Sequence, residues 1–416
     1  MTEHDFDVVV MGGGPAGAAA ATVVAQAGYR TVLLERSREP AFKVGESLMP
    51  ATYWTLERLG VLDRMRQSSN PVKGSVQFFS ADGRATTPFY FEDHDPHESS
   101  WTWQVLRSDF DGMLLQRAAE CGAEIRHGSS VQEVLFEENR AIGVRIGSGN
   151  GTSQEIFSRV VVDATGQRAL LARQLEILRP EPCLQHASFF SHFAGATLDT
   201  GRDAGATLIF HTESRESWFW FIPLPDDRVS VGVVGNVDYL IRHRQGDPQR
   251  TFQEELLKCP ALAPRLDTAQ QLLPMQAIKD YSYNVDRLTG DGWVTIGDAA
   301  GFIDPIYSTG VLLALKSGEM AADAICEGLA NDDVSAAKLG SFAAELRQGM
   351  DAMSQLVYAF YSPSFSFGKF LRAHPDCRGE LVDLLMGNVF RRSVDRLLEA
   401  LREELGTPES TEGMTT

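Results

Sequence analysis

The sequence predicts an α/β fold: a parallel sheet built around a glycine loop, an inserted and mostly antiparallel sheet, and a C-terminal helical region. Three observations predict it. Short apolar runs, Val8-Val9-Val10-Met11, Val32 to Leu34 after Thr31, and Val160-Val161-Val162, suit strands buried on both faces of a parallel sheet. From Phe189 to Val237 the pattern turns alternating and aromatic, as in an antiparallel sheet with one face on a cavity. Residues 331–404 read as helical throughout, with Pro363 and Pro375 as breaks.

The first run ends in Gly12-Gly13-Gly14-Pro15-Ala16-Gly17, which fits G-x-G-x-x-G, and the alanine-rich stretch Ala18 to Ala27 lets a helix pack closely on the sheet. Unpaired amides at that helix N-terminus, together with its dipole, form a site for a pyrophosphate. Glu35 closes the next strand, where a carboxylate can accept hydrogen bonds from a ribose hydroxyl. Strand, loop, helix and spaced acid together indicate a Rossmann-like dinucleotide site centred on Gly12, Gly14, Ala16, Gly17 and Glu35.

At 416 residues and 43% hydrophobic, the chain can bury one large or two moderate cores. A formal net charge of -18 argues against nucleic acid or an anionic membrane surface as the main partner. Cys121, Cys183, Cys259, Cys326 and Cys377 are scattered, without a C-x-x-C pair, so neither a disulfide framework nor a zinc site is indicated. No signal pattern precedes the first strand and no apolar stretch is long enough to span a bilayer. The expectation is a soluble, cytoplasmic protein with reduced thiols.

After Glu35 and Arg36, the run Lys43-Val44-Gly45-Glu46-Ser47-Leu48 suits a backbone that closes over a ligand. Thr52 to Met65 reads as one helix, with Trp54 on its apolar side. Ser75 to Ser80, a hairpin at Asp82-Gly83, and a strand around Thr87 to Phe91 begin the second sheet. His94 and His97 lie in a polar loop with too few neighbours to hold a metal. Trp101 to Leu106 reads as a strand, and Arg107 opens a helix with Ser108 as its cap. Strands follow at Ile125 to His127, Val131 to Glu137 and Ala141 to Ile146, with a flexible tip at Gly147 to Gly151. Phe252 to Leu257 is a short helix. Trp293 to Ile296 returns the chain to the first sheet and ends in Gly297-Asp298, whose acid can accept hydrogen bonds from a sugar-alcohol chain. Val311 to Leu329 makes a long helix.

Gly12 to Gly17, Glu35, the turn Asp163 to Gly166 and Gly297-Asp298-Ala299-Ala300, in that order, resemble the para-hydroxybenzoate hydroxylase type of FAD enzyme. The resemblance implies FAD as the dinucleotide, with Arg107 and Asp298 on the flavin's linker and Arg36, Ser47, Pro305 and Gly310 also against the cofactor. It implies a discontinuous FAD module over 1–330, with a substrate sheet from about 74–106 and 183–279; beyond it, the pattern of the chain gives the helical region 331–404 and its polar end a disordered tail, 405–416. A single nucleotide loop leaves the reducing electrons to a transient NAD(P)H contact or a separate flavin reductase.

Trp218-Phe219-Trp220-Phe221-Ile222-Pro223 narrows the resemblance. On a strand, Trp218 and Trp220 share one face, Phe219 and Phe221 the other, and Pro223 ends the pairing. W-x-W-x-I-P is similar to the hallmark of flavin-dependent halogenases, and Gly301 to Gly310 resembles their F-x-x-P-x-x-S-x-G pattern. The indole wall is thought to keep the organic substrate off the flavin. Ser308, Thr309 and Gly310 stand at a helix N-terminus, where free amides attract an anion, so Thr309 and Gly310 are expected to hold a halide and Ser308 to share in the catalytic site.

Lys73, in Pro71-Val72-Lys73-Gly74, matches the halogenase lysine that receives hypohalous acid. Desolvation can lower its pKa and leave a neutral amine to form a haloamine, or it can stay charged and hydrogen-bond the oxidant. Tyr307 stands where tryptophan halogenases carry glutamate, so the chain looks closer to the phenol, pyrrole and carrier-bound branches. Glu46 and the acidic loop near Asp93 are the candidate bases. The expectation is an FAD halogenase using oxygen and chloride or bromide on an electron-rich ring, free or tethered to a carrier protein. The rivals are a monooxygenase or geranylgeranyl reductase of the same fold, and a non-catalytic flavoprotein that binds a carrier protein.

Overall fold

A computed structural model describes residues 4–39, 42–147, 153–242, 244, 247–279 and 281–405. The tip expected beyond Gly147 and the tail expected to be disordered past Leu405 lie outside these residues.

The first sheet runs Thr289–Gly290, Trp293–Thr295, Ser153–Asp163, Phe6–Met11, Thr31–Glu35, Glu124–His127 in spatial order. Its central strands are parallel, Val8 lying opposite both Val160 and Thr31. Val8 to Met11 and Val160 to Val162 are fully buried, which is why they are apolar without alternation. The hairpin Ser130–Glu137 and Arg140–Gly147 extends the sheet along the outer half of Ser153–Asp163. Helix Pro15–Gln26 is buried from Pro15 to Ala25, since its alanines let it sit between the sheet and the helix Thr309–Ala330.

The second sheet is antiparallel except where Thr207–His211 runs beside Ser75–Phe79. Its centre is His186–Ala194, Arg228–Asn236 and Ser217–Leu224. The aromatic strand separates two cores. Trp218 and Trp220 face the nucleotide-binding half, while Phe219 and Phe221 pack with Phe210 and Phe252 behind the sheet. Among the described residues no helix is long and apolar enough to cross a membrane.

Several local expectations are corrected. The helix over 52–65 is two pieces, Thr52–Leu59 and Leu62–Arg66, because Gly60 takes a left-handed conformation (φ 73°) and caps the first. Strands over 87–91 and 101–106 shrink to Phe89–Tyr90 and Thr102–Trp103. Ser108 is inside its helix, where its hydroxyl donates to Asp109, and Leu106 takes the cap position. Pro223 does not end its strand: it pairs opposite Val229, and the neighbour on its other side pairs only as far as Phe221, so no amide is demanded there.

Candidate functional site

The loop Gly12 to Gly17 leaves the first strand and starts the first helix with Gly14 at the cap position and Pro15 in the first turn. Gly12 has φ +109°, and a Cβ there would stand 2.2 Å from the Ala164 carbonyl oxygen. The loop is thus pressed against the turn that ends Ser153–Asp163. At Gly14 nothing lies within 4 Å of a Cβ, so the backbone is open on the side where a ligand would approach. Glu35 accepts from the Gly13 amide and from the Ser37 amide, each at 2.7 Å. Burial pushes its carboxyl up, but these amides outweigh burial and hold it below the usual carboxylate range.

A cavity of 520 Å³ begins at this loop and continues to the second sheet. Gly12, Gly14, Ala16, Glu35 and Arg36 line its first part. Ser47, Arg107 and Asp298 line its middle, and Pro305, Ser308 and Gly310 its far end beside Phe190 and Trp220. Gly17 does not line it: a Cβ there would be 2.0 Å from the Gly12 carbonyl, so Gly17 serves the close packing of helix on loop. Arg107 is fixed by two bonds to Asp111, 2.9 and 3.0 Å, and by one to the Val44 carbonyl at 2.6 Å. Burial raises the Asp298 carboxyl to about 6, against the pull of Arg107 and Lys43. The slot therefore has a helix N-terminus for phosphates, a mid-section of fixed polar groups for a polyol, and an aromatic end for a flat ring. These residues fit FAD.

The two indoles expected to form one wall have separate surroundings. Trp220 lines the cavity and donates from Nε1 to Ser230 Oγ at 3.1 Å. Its ring lies over Gly232, where a Cβ would come within 2.2 Å. Gly232→Ala is expected to drive the indole toward the cavity, cost about 1–3 kcal/mol, and change near-UV dichroism and flavin affinity together. Trp218 does not line the cavity. It donates from Nε1 to the Tyr361 hydroxyl at 3.0 Å, and that hydroxyl lies 3.1 Å from both oxygens of the buried Asp304. His186 stacks on Tyr361 at 4.1 Å, with Nδ1 3.3 Å from Asp304.

Tyr361, the last residue of helix Ala343–Tyr361, was not foreseen, since nothing in a helical stretch marks one tyrosine as the anchor of a distant loop. Burial and Asp304 hold its phenol protonated, so it remains a donor. Tyr361→Phe should cost about 1–3 kcal/mol by thermal or denaturant unfolding, because a buried carboxylate loses a partner.

Ser308 caps helix Thr309–Ala330 in a left-handed conformation, φ 61°, uncommon for serine. Ser308 and Gly310, on either side of Thr309 at the start of this helix, line the end of the cavity. Thr309 is buried and does not line the cavity, so its side chain is not on the wall as the halide expectation would have it.

Lys73 lies on the ribbon Val72–Lys73 paired with Thr102–Trp103. It is 4% exposed and donates from Nζ to Ser47 Oγ at 2.8 Å and to the Leu48 carbonyl at 2.9 Å. Burial alone lowers its pKa to about 7. It does not line the cavity; Ser47 stands between them. Glu46 lines the cavity, and its Oε1 lies 2.7 Å from His192 Nε2, a partner the sequence did not reveal. Asp93, the other candidate base, is tied to Arg202 at 2.5 Å and does not line the cavity.

A model of the FAD binding domain family matches residues 5–332. The chain is 30% identical to the 1H-pyrrole-2-carbonyl-[peptidyl-carrier protein] chlorinase of Pseudomonas fluorescens, over 99% of this chain and 95% of that one. It is 30% identical to the corresponding brominase of Pseudoalteromonas luteoviolacea, over 92% of each. The solved structure of the flavin-dependent brominase Bmp2 superposes with a TM-score of 0.86 at 29% identity, covering 96% of this chain and 98% of that one. With an FAD-shaped slot, a tryptophan strand that puts Trp220 on its wall, and a buried lysine one hydrogen bond behind Ser47, the chain belongs to the flavin-dependent halogenases.

Proposed function

We propose that this enzyme places chlorine or bromine on an electron-rich aromatic ring of pyrrole or phenol type, with Lys73 guiding hypohalous acid to the ring. The observation that carries the reading is the Lys73 amine: buried, lowered to about 7, and one hydrogen bond behind Ser47 on the cavity wall. An ammonium with no carboxylate partner among the described residues is costly in such a place unless chemistry uses it. Bound and reduced, FAD supplies the electrons and oxygen activation that convert a halide to hypohalous acid. The chain's own part is to hold the halide at the Thr309 and Gly310 amides, close the ring end with Trp220, and fix the loop 302–310 through Trp218, Tyr361 and Asp304. Ser308 sets the turn that exposes those amides. Only one glycine loop of nucleotide type is present among the described residues, so reducing electrons come from a separate flavin reductase or a transient NAD(P)H contact, and the reductase is the supply used in the test. Two relatives act on pyrrole-2-carbonyl groups held by peptidyl-carrier proteins, and this supports a tethered pyrrole as the first substrate to test. Five unpaired cysteines suit a reducing cytoplasm.

The test is mass spectrometry of reactions with a flavin reductase, NADH, FAD and bromide, offered free phenols, free pyrroles and carrier-bound pyrrole-2-carbonyl. A bromine isotope doublet on one of these is expected. A hydroxylated product formed equally well without bromide would overturn the reading in favour of a monooxygenase.

A further inference from the structure

Between Lys73 and the cavity stands a pair of hydroxyls. Ser47 Oγ and Thr207 Oγ1 are 2.8 Å apart, and both residues line the cavity. Lys73 Nζ donates to Ser47 Oγ at 2.8 Å, and Gln104 Nε2 donates to Thr207 Oγ1 and to the Gly205 carbonyl, each at 2.9 Å. A hydroxyl owns one hydrogen and two acceptor positions, so the pair brings two hydrogens and uses one internally. If Thr207 donates, Ser47 accepts from both Thr207 and Lys73 and keeps its own hydrogen spare. If Ser47 donates, the spare hydrogen is on Thr207. Among the described residues neither hydroxyl donates to any other acceptor. Gln104 donates to Thr207 as Lys73 donates to Ser47, so the pair can take either arrangement, and the first is the one in which Ser47 can pass a proton forward.

Ser47 then accepts a hydrogen bond from the amine behind it and offers an O–H to the cavity in front. Halogen transfer needs that pairing. When the amine nitrogen bonds to the halogen and the oxygen–halogen bond breaks, the nitrogen must lose a proton and the departing hydroxide must gain one. The sum is amine plus hypohalous acid giving haloamine plus water. A hydroxyl that accepts from the nitrogen and donates to the leaving oxygen moves both protons without forming a free charge in a desolvated space.

We propose that Ser47, oriented by Thr207 and Gln104, is a catalytic residue of halogenation: it docks the oxygen of hypohalous acid and relays a proton from Lys73 to that oxygen as the halogen passes to nitrogen. The inference rests on the Lys73 reading and goes beyond it, because it places the contact with the oxidant on the serine side chain.

The test needs no knowledge of the final substrate. Holoenzyme is supplied with reduced FAD, oxygen and bromide, passed rapidly through a desalting column, and assayed for oxidising equivalents retained on the protein. A diffusible 1,3-diketone trap in a parallel reaction collects oxidant that escapes. The parent protein should retain close to one equivalent. Ser47→Ala should retain roughly a hundredth as fast per bound flavin, by analogy with removal of a single preorganised donor, with the bromine recovered on the trap. Ser47→Thr keeps a hydroxyl and should restore retention, while Thr207→Val should give an intermediate loss. Retention by Ser47→Ala at the parental rate per bound flavin overturns the relay and would make Ser47 a cofactor contact only. Lys73→Ala retaining oxidant as the parent does would instead overturn the Lys73 reading, whatever Ser47 does.

Discussion

Lys73→Met should abolish halogenated product, by about a hundredfold or more, while leaving FAD bound and raising the melting temperature. The three outcomes follow from one fact. The amine is buried with two hydrogen-bond acceptors, Ser47 Oγ and the Leu48 carbonyl, and with no carboxylate beside it among the described residues, and burial takes its pKa from 10.5 to about 7. A side chain whose folded pKa is depressed in this way destabilises the fold as pH falls from about 10.5 toward 7, because the unfolded chain takes up a proton that the folded chain refuses. At and below about 7 the penalty is complete, roughly 5 kcal/mol by the usual conversion, and offset in part by the two hydrogen bonds. Methionine fills similar volume without the charge, so stability should be gained where function is lost.

Activity of the parent carries the opposite signature. Haloamine formation needs the neutral amine, whose share grows as pH rises through about 7, so single-turnover bromination should climb across that range and level off above it. A flat profile between pH 6 and 8 would show that the amine does not titrate in the reaction. A lower melting temperature for Lys73→Met would show that the lysine is there for stability.

The sequence announced what is local and contiguous. Gly12 to Gly17 and Glu35 sit within one strand-loop-helix-strand unit, and the apolar runs pair in the order expected of a parallel sheet. The W-x-W alternation survives because a strand's period of two is set by the backbone alone, and the two faces do go to different cores. What the sequence did not disclose are contacts whose members lie far apart. Ser47 meets Lys73 across 26 residues and Thr207 across 160, Glu46 meets His192 across 146, and Trp218 meets Tyr361 across 143. No periodicity encodes such a pairing; it depends on how two sheets and a helical region dock. For the same reason the two tryptophans could be placed on one face but not distinguished, although one lines the cavity and the other braces the loop 302–310. Local misreadings had local causes: Gly60 stops a helix that its apolar periodicity would continue, and Pro223 stays in a strand because its other neighbour has already ended.

Gly12→Ala and Gly14→Ala should both empty the protein of FAD, but for different reasons, and the difference measures how the loop works. At Gly12 the backbone has φ +109°, and an added Cβ would lie 2.2 Å from the oxygen and 2.8 Å from the carbonyl carbon of Ala164. Both are main-chain atoms. The Ala164 amide is also tied to the Met11 carbonyl at 2.9 Å, so the turn cannot swing away without breaking the register of the two central strands. Gly12→Ala should therefore lower the stability of the flavin-free protein by several kcal/mol, combining overpacking of about 1–3 kcal/mol with the strain of a non-glycine residue at that φ. Gly14 has an ordinary extended backbone, φ -77°, and open space where its Cβ would go. Alanine there should leave the melting temperature of the flavin-free protein within about 1 kcal/mol of the parent, since nothing in the chain is displaced. Its methyl group would instead occupy the approach to the amides at the helix start, so flavin affinity should fall at least about tenfold, the weight of one lost charge-assisted hydrogen bond. Equilibrium dialysis with FAD and thermal unfolding of the same preparations separate the two effects. If Gly14→Ala binds FAD as tightly as the parent, the phosphates do not approach the helix at its first turn, and the assignment of this loop as their cradle fails.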